Sequence, residues 1–135
     1  MISAHKPTRP IRRSKLPVSL RTPKDERSYQ RTKRQQPKRD LTVEKPIKTW
    51  KHWYMLPNKF PYSSAFSRHD MLLPKRVISR KQMNKQENDE LAEILDELEP
   101  RYDVVMMNFR SKQSVKDHFH IHLLVYKTKR RKLKI

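Results

Sequence analysis

Charge is distributed so unevenly along this chain that only its middle is suited to forming a compact core. Residues 1–50 carry 15 basic and 4 acidic side chains, residues 51–126 carry 12 and 10, and residues 127–135 carry 6 and none. At 135 residues, one folded domain is expected. We therefore divide the chain into a proline-rich basic arm (1–49), a central domain (50–126) and a basic tail (127–135).

The residue types that are missing exclude several classes of protein. There is no cysteine, so the chain forms neither a disulfide framework nor a thiolate zinc site. There is no glycine, which excludes the glycine-rich phosphate-binding loops. No run approaches the ~18 apolar residues of a membrane-spanning helix, and prolines interrupt the start where a secretory signal needs an apolar run. We expect a cytoplasmic protein, although the acid-free residues 1–23 leave import into an organelle open.

The first arm has few large apolar residues. It holds 6 of the 10 prolines, and such a segment cannot offset its ordering entropy by burying apolar surface. We expect it to be disordered unless a partner orders it. One piece is typical of a helix, because Thr22 is a suitable cap, Pro23 suits the first helical position and the pattern continues to Gln36. Its only large apolar residue is Tyr29, which predicts no docking by hydrophobic burial.

The two arms predict a polyphosphate partner. Lysine and arginine neutralise phosphates and release counterions, which gives affinity for RNA or DNA that is independent of sequence. A solvated tail without a specific partner is the alternative. A membrane surface is disfavoured, because no apolar helical face accompanies the charge.

The central domain has the order strand, strand, helix, strand, strand. The helix is expected at 84–98, because Asn84 and Glu87 have the spacing of a capping box and apolar residues then recur at helical spacing up to Leu98. This order predicts an α+β domain with an antiparallel sheet whose last two strands form a hairpin. The strands are expected at 50–56, 71–73, 103–108 and 118–126.

Three of the six histidines fall within five residues, in the segment His118-Phe119-His120-Ile121-His122. Alternate side chains of a strand share a face, so the three imidazoles lie together while Phe119 and Ile121 face a core. Successive histidines would lie ~7 Å apart, a spacing that can surround one phosphate. One imidazole can then attack phosphorus while its neighbours donate hydrogen bonds or a proton.

Two other roles for these histidines stay open. They could lie on the solvent face of a strand with no chemical role. They could instead bind zinc, since imidazole is a common ligand, with Asp117 or His69 as the fourth ligand. Our leading interpretation involves no metal and no cofactor.

The pattern His-φ-His-φ-His-φ-φ resembles the signature of the histidine triad (HIT) superfamily. The turn at residues 58–62 (NKFPY) is similar to the family's N-x-x-P turn, and residues 69–76 (HDMLLPKR) are similar to the strand after it. The capped helix, Asn108 and the residues Gln113-Ser114-Val115 follow in family order. The resemblance covers about residues 50–126.

The resemblance implies an antiparallel sheet flanked by helices, often dimerised, with a cleft for a nucleotide. It implies hydrolysis or transfer of nucleoside monophosphates from nucleoside 5'-phosphoramidates, dinucleoside polyphosphates or nucleotidylated molecules. By position, His120 is the nucleophile that forms a nucleotidyl-histidine, and His118 and His122 orient the site and assist the leaving group. The nucleotide-binding positions that carry over are Asn58, His69, Asn108 and Ser114.

The chain also departs from the family. Residues 110–117, before the triad, contain no glycine, and the hairpin that usually precedes the N-x-x-P turn is reduced to one strand. Some aromatic side chains could line a base pocket, a dimer interface or the core: Tyr54, Phe60, Tyr62 and Phe66. The alternative function is a protein that binds a nucleotide or nucleic acid without catalysis, with the basic arms supplying the affinity.

Overall fold

The computed structural model describes residues 19–36, 39–113 and 115–128. The helices are α1 (Pro23–Gln35) and α2 (Lys85–Leu98), and short 3-10 helices lie at Leu41–Val43, Arg80–Gln82 and Arg110–Lys112. The strands are β1 (Lys48–Thr49), β2 (Trp53–Pro57), β3 (Phe66–Pro74), β4 (Val104–Met106) and β5 (Ile121–Tyr126). None of the helices among these residues is long and apolar enough to cross a membrane.

The strands form one antiparallel sheet in the order β1-β2-β3-β5-β4. The central pair is β3 and β5, in a register that sets Met71 opposite His122 and Leu72 opposite Ile121. At one edge β4 pairs with β5 and sets Met106 opposite His122. The predicted α+β class, the antiparallel sheet and the pairing of the last two strands are confirmed.

Helix α2 covers one face of the sheet. Its buried residues Ile94 and Leu98 pack against Trp53 and Leu72. The alternation expected around the histidines is confirmed, because the apolar residues between and after them point into this same core: Phe119, Ile121 and Leu123.

The start of α2 is fixed by the predicted capping box. The Asn84 side chain accepts a hydrogen bond from the Glu87 N–H at 2.8 Å, and the Glu87 carboxylate accepts one from the Asn84 N–H at 2.9 Å. The same carboxylate accepts two hydrogen bonds from Arg76, from Nε at 3.0 Å and from Nη2 at 2.5 Å. The Glu87 carbonyl accepts from the Trp53 indole N–H at 2.9 Å. Glu87, only 2% exposed, therefore joins the helix, the end of β3 and the core.

The fold begins before residue 50, the predicted start of the central domain. Leu41 is 1% exposed and packs with Tyr54, Leu56 and other apolar residues on the sheet face opposite α2. Strand β1 pairs with β2 and sets Lys48 opposite Met55. The physical reason is that this second face needs an apolar cover, and residues 39–49 supply part of it. Residues 1–18 and 129–135 lie outside the described residues.

Helix α1 starts where its cap predicts. The Thr22 side chain accepts from the Asp25 N–H at 3.4 Å, and no residue of the helix is buried. Hydrogen bonds at its N-terminal end attach it to the domain instead. Ser63 donates to the Asp25 carboxylate, and the Ser64 N–H donates to the Leu20 carbonyl at 2.9 Å.

All four predicted strands differ in their bounds from the observed ones: the strand expected at 50–56 is β2 (Trp53–Pro57), and the strand expected at 103–108 is β4 (Val104–Met106). The strand expected at 71–73 is the end of β3, whose earlier half contains the polar residues 67–70 and gives no apolar signal. The strand expected at 118–126 begins only at Ile121, because its pairing with β3 ends at Leu72. Before that point the Phe119 N–H donates to the Ile78 carbonyl at 2.9 Å. The backbone of the described residues contains no positive φ, which agrees with a chain that has no glycine.

We expect Glu87→Gln to lower the free energy of unfolding by roughly 1–3 kcal/mol, because it removes the charged acceptor of Arg76 at a buried position. Urea unfolding at pH 7 measures the change. The matched control is Asp89→Asn, which breaks an exposed pair with Lys85 on the same helix and should cost no more than about 0.5 kcal/mol. Equal losses in the two variants would contradict the assigned role of Glu87.

The same comparison has a pH dependence. The hydrogen bonds from Arg76 hold the pKa of Glu87 below its usual 4.5. A carboxylate with a lowered pKa in the folded state stabilises the fold above its unfolded pKa and loses that contribution as pH falls. The difference in unfolding free energy between the wild type and Glu87→Gln should therefore decrease as pH falls below about 4.3.

Candidate functional site

Four histidines lie together on the sheet face opposite α2. His69 belongs to β3, His122 belongs to β5, and His118 and His120 lie in the extended segment that leads into β5. His69 is two residues from Met71, the partner of His122, so the two imidazoles share a face. All four side chains are nearly inaccessible, with exposed fractions of 2–4%.

Hydrogen bonds assign the tautomers of His69 and His122. The Tyr62 N–H donates to Nδ1 of His69 at 3.0 Å, so a neutral His69 carries its proton on Nε2. That Nε2 lies 2.7 Å from Nδ1 of His122, which must accept. His122 then carries its own proton on Nε2, which donates to the Asn108 side chain, 3.4 Å away, only when the amide oxygen faces the ring. The series of hydrogen bonds holds His122 as a donor through Nε2.

His120 has the opposite tautomer. Its Nδ1 lies 3.0 Å from the backbone carbonyl oxygen of His118, and only a protonated nitrogen can donate to a carbonyl. The proton is therefore on Nδ1, and Nε2 keeps its lone pair. The centroids of the His120 and His122 rings are 5.0 Å apart, with the rings nearly perpendicular. An unprotonated imidazole nitrogen thus lies beside an imidazole donor, a combination suited to nucleophilic attack on phosphorus.

His118 has a different environment from the other two triad residues. Its Nε2 lies 2.7 Å from the Pro74 carbonyl oxygen and donates to it, and its ring lies beside Tyr54 with the centroids 6.1 Å apart. The ring therefore attaches the triad segment to the end of β3. Its backbone carbonyl orients His120.

Burial keeps all four imidazoles neutral. Removal from water lowers the pKa of His69 from its usual 6.5 to about 4 and that of His122 to about 2. The same cause lowers the pKa of His118 and of His120. Positive charge at Arg21 lowers the pKa of His69 further. The neutral form is the one that can act as a nucleophile.

One small cavity reaches the histidines, and a larger cavity adjoins it. A small cavity of about 20 Å³ is lined by His120 and His122, and it has room for little more than one water molecule. A larger cavity of about 570 Å³ lies next to it, within the size range of small-molecule sites. The two cavities share four lining residues: Tyr29, Arg39, Phe60 and Val115.

The N-terminal segment closes the small cavity. Arg21 precedes α1, Tyr29 lies within it, and Arg39 and Leu41 follow it, and all four line the cavity. Composition does not predict these residues as part of the site, because it indicates that residues 1–49 form an arm outside the domain. The one available signal was the cap at Thr22, which places Arg21 at the fixed start of a helix.

Two of the four predicted nucleotide-binding residues reach the histidines through their amides. Asn58 lines the small cavity, and its Nδ2 lies 3.1 Å from Nε2 of His69, a contact between two protonated nitrogens and therefore not a hydrogen bond. Its Oδ1 accepts from the Phe60 N–H at 2.8 Å, which shapes the turn. The side-chain amide of Asn108 lies 3.4 Å from Nε2 of His122.

The other predicted site residues are distributed differently. His69 is a direct neighbour of the triad, and Ser114 lies outside the described residues. Of the aromatic candidates, Phe60 and Tyr62 line the small cavity, whereas Tyr54 and Phe66 are buried in separate apolar clusters.

The arrangement differs from the one that a zinc site would need. The Nε2 of His69 and the Nδ1 of His122 face each other across a hydrogen bond. The side chain of Asp117 is 90% exposed and lies 3.7 Å from Arg110. Over residues 19–36, 39–113 and 115–128, no group of three or more histidine, aspartate or glutamate side chains is positioned to hold a metal ion.

Comparisons with known proteins give similarity at the level of the fold. No protein-family model matches the chain, and no curated protein matches it. A solved structure described as "Crystal Structure of HTC1" superposes with a TM-score of 0.51 over 81% of this chain and 76% of that chain, at 16% sequence identity. The two chains therefore share a fold.

We expect the fold to lose stability as pH falls below about 6.5, the pKa of an unfolded histidine. Burial lowers the pKa of all four imidazoles in the folded state, so the unfolded chain binds more protons below that pH than the folded chain does. Each contributes up to about 1.4 kcal/mol per pH unit to the slope. Urea unfolding at several pH values from 7.5 to 5 measures it.

The variant His69→Asn tests the assignment of this slope. Asparagine keeps an acceptor for the Tyr62 N–H but does not titrate. Between pH 7 and pH 5, its unfolding free energy should decrease less steeply than that of the wild type. The difference in slope should be at most about 1.4 kcal/mol per pH unit, the contribution of one imidazole. A variant with the wild-type slope would contradict the neutral state of His69.

Proposed function

We propose that this chain is a HIT-type nucleotide hydrolase or transferase that forms a nucleotidyl-histidine intermediate on His120. The observation that supports the proposal most is the tautomer of His120. Its Nδ1–H is engaged by the His118 carbonyl, and its ring lines the small cavity. The nitrogen with the lone pair is therefore the one available to a ligand.

The reaction has two displacements at one phosphorus atom. Nε2 of His120 attacks the α-phosphorus and forms a P–N bond, while the bond to the amine or phosphate leaving group breaks. An amine leaving group takes up a proton from solvent, and the attacking water of the second displacement returns a proton to solvent. The Nε2–H of His122 donates a hydrogen bond to a phosphoryl oxygen on which charge develops. Water then attacks the same phosphorus, the P–N bond breaks, and a nucleoside monophosphate leaves. An acceptor other than water gives transfer in place of hydrolysis.

Substrate binding requires the small cavity to widen. Its 20 Å³ holds no phosphate group, and the cover over it is α1 with the residues beside it. Since α1 has no buried residue, moving it outward exposes little apolar surface and costs little free energy. The nucleoside then occupies the larger cavity, beside the aromatic ring of Phe60.

We expect His120→Ala to abolish turnover of a nucleoside 5'-phosphoramidate, with a loss of at least about 10³-fold. In the wild type, acid quenching and intact-mass measurement should detect a nucleotidyl adduct, which the variant lacks. His52→Ala is the matched control, because His52 lies outside the histidine cluster, and it should retain both turnover and adduct. Adenosine and guanosine phosphoramidates and a dinucleoside polyphosphate are the substrates to compare.

Two outcomes would count against the enzyme. One is turnover that persists in His120→Ala. The other is the absence of turnover and adduct on every substrate from folded wild-type protein, which would favour binding without catalysis. A homodimer and a cytoplasmic location stay predictions.

The second candidate function is binding of RNA or DNA, and the solvent side of α1 favours it. A surface groove of about 270 Å³ on this helix is lined by Arg27, Arg31 and Arg34, all of them exposed. Aligned arginines on an exposed helix can follow a phosphate backbone without reading its sequence. This function is compatible with the first, since nucleic acid could hold the protein near a nucleotidylated substrate.

We expect replacement of these three arginines by alanine to weaken binding of single-stranded RNA or DNA. The slope of log K against log salt should fall in magnitude by up to about 2, because each lost phosphate contact removes about 0.7 from it. The control replaces three exposed cations elsewhere in the domain by alanine: Lys51, Lys81 and Arg101. Equal reductions in the two triple variants would show that only net charge matters.

A further inference from the structure

We infer that Arg21 binds the phosphate group of the nucleotide that His120 attacks. This inference rests on the proposed function for the identity of the ligand. Binding of the phosphate can nevertheless be measured without catalysis. The residue comes from the segment before α1, outside the region that carries the family resemblance.

The guanidinium of Arg21 is held in place by its surroundings. The side chain is 13% exposed, and its Nε donates to the Phe60 carbonyl at 2.8 Å. The central carbon lies 3.9 Å from the centroid of the Tyr29 ring and 5.2 Å from that of Tyr62. Aromatic faces on a planar cation limit its rotation. The group is therefore oriented before any ligand binds.

The charge of Arg21 is only partly balanced. Among the described residues, the acidic oxygen near it is Oε1 of Glu26, 3.7 Å from Nη1, which is beyond hydrogen-bonding distance. The hydrogen bonds that the described residues make with this guanidinium use Nε, so the Nη groups keep their donors. A largely buried cation without a close counterion is unfavourable, and a phosphate would supply both the charge and the acceptors.

The second arginine at the cavity provides a contrast. Nε and Nη2 of Arg39 both donate to Oε1 of Glu44, at 2.9 and 2.7 Å. Its charge is already neutralised by a carboxylate. Of the two arginines that line the small cavity, Arg21 is the one available to an anion.

The residues around the small cavity complement Arg21. His120 and His122 are neutral and supply a nucleophile and a donor but no positive charge, and Asn58 supplies an amide. Phosphoryl transfer needs a cation close to the developing charge. Arg21 fits this role, because the same cavity is lined by its side chain and by both histidines.

The test measures binding of adenosine 5'-monophosphate and of unphosphorylated adenosine to the full chain by calorimetry. We expect Arg21→Ala to bind the monophosphate about 10- to 100-fold more weakly and adenosine as tightly as the wild type does. Arg21→Lys should fall between, because it keeps the charge but loses the planar fork. Arg101→Ala is the matched control, an exposed arginine that lines neither cavity, and it should bind both ligands as the wild type does.

Far-UV circular dichroism and the melting temperature establish that each variant is folded. Equal affinity of folded Arg21→Ala and wild type for the monophosphate would overturn the inference. An equal loss of affinity for the monophosphate and for adenosine in Arg21→Ala would also overturn it, because it would indicate a packing role. A wild-type protein that does not bind the monophosphate would overturn it as well.

This result is separable from the proposed function. A nucleotidyl adduct on His120, together with monophosphate affinity that does not depend on Arg21, would support the proposed enzyme and contradict the role of Arg21. Binding that depends on Arg21 without any adduct would establish the phosphate site in a protein that is not the proposed enzyme.

Discussion

The antiparallel pairing of β3 with β5 is the constraint on which the rest of the structure depends. Its register sets His122 opposite Met71 and so brings His69 within hydrogen-bonding distance of it. The same pairing turns Ile121 and Leu123 toward α2. A shift of one residue would exchange the two faces, burying the imidazoles under the helix and exposing the apolar residues. The chemistry of the site and the stability of the core therefore share one determinant.

The sequence predicted the parts of the fold that follow from local patterns. The capping box of Asn84 and Glu87 located α2, and the alternation around His120 separated the core face from the histidine face correctly. The first half of β3 was missed because residues 67–70 are polar, and their place in the sheet depends on pairing with β5. Such long-range pairing overrides local propensity.

The sequence predicted the histidines of the candidate site but not the N-terminal segment that closes its small cavity. The hydrogen bond from Arg21 to Phe60 spans 39 positions, and no spacing rule connects an arginine in a basic arm to a turn so far away. Composition indicated an arm without a core, and α1 indeed buries none of its residues. Contacts of Arg21 and Leu41 with the domain depend on shape complementarity, which a single sequence does not display.

Because α1 is attached mainly through its N-terminal end, access to the histidines and integrity of the sheet are separate equilibria. The helix can detach while Trp53, Leu72 and Ile94 stay packed, so its opening free energy is a small fraction of the global one. The time that His120 spends in contact with solvent then depends on residues 19–36 together with Arg39 and Leu41, which also line the cavity. Sequence changes in that segment can tune how often the site opens while the melting temperature of the domain stays constant.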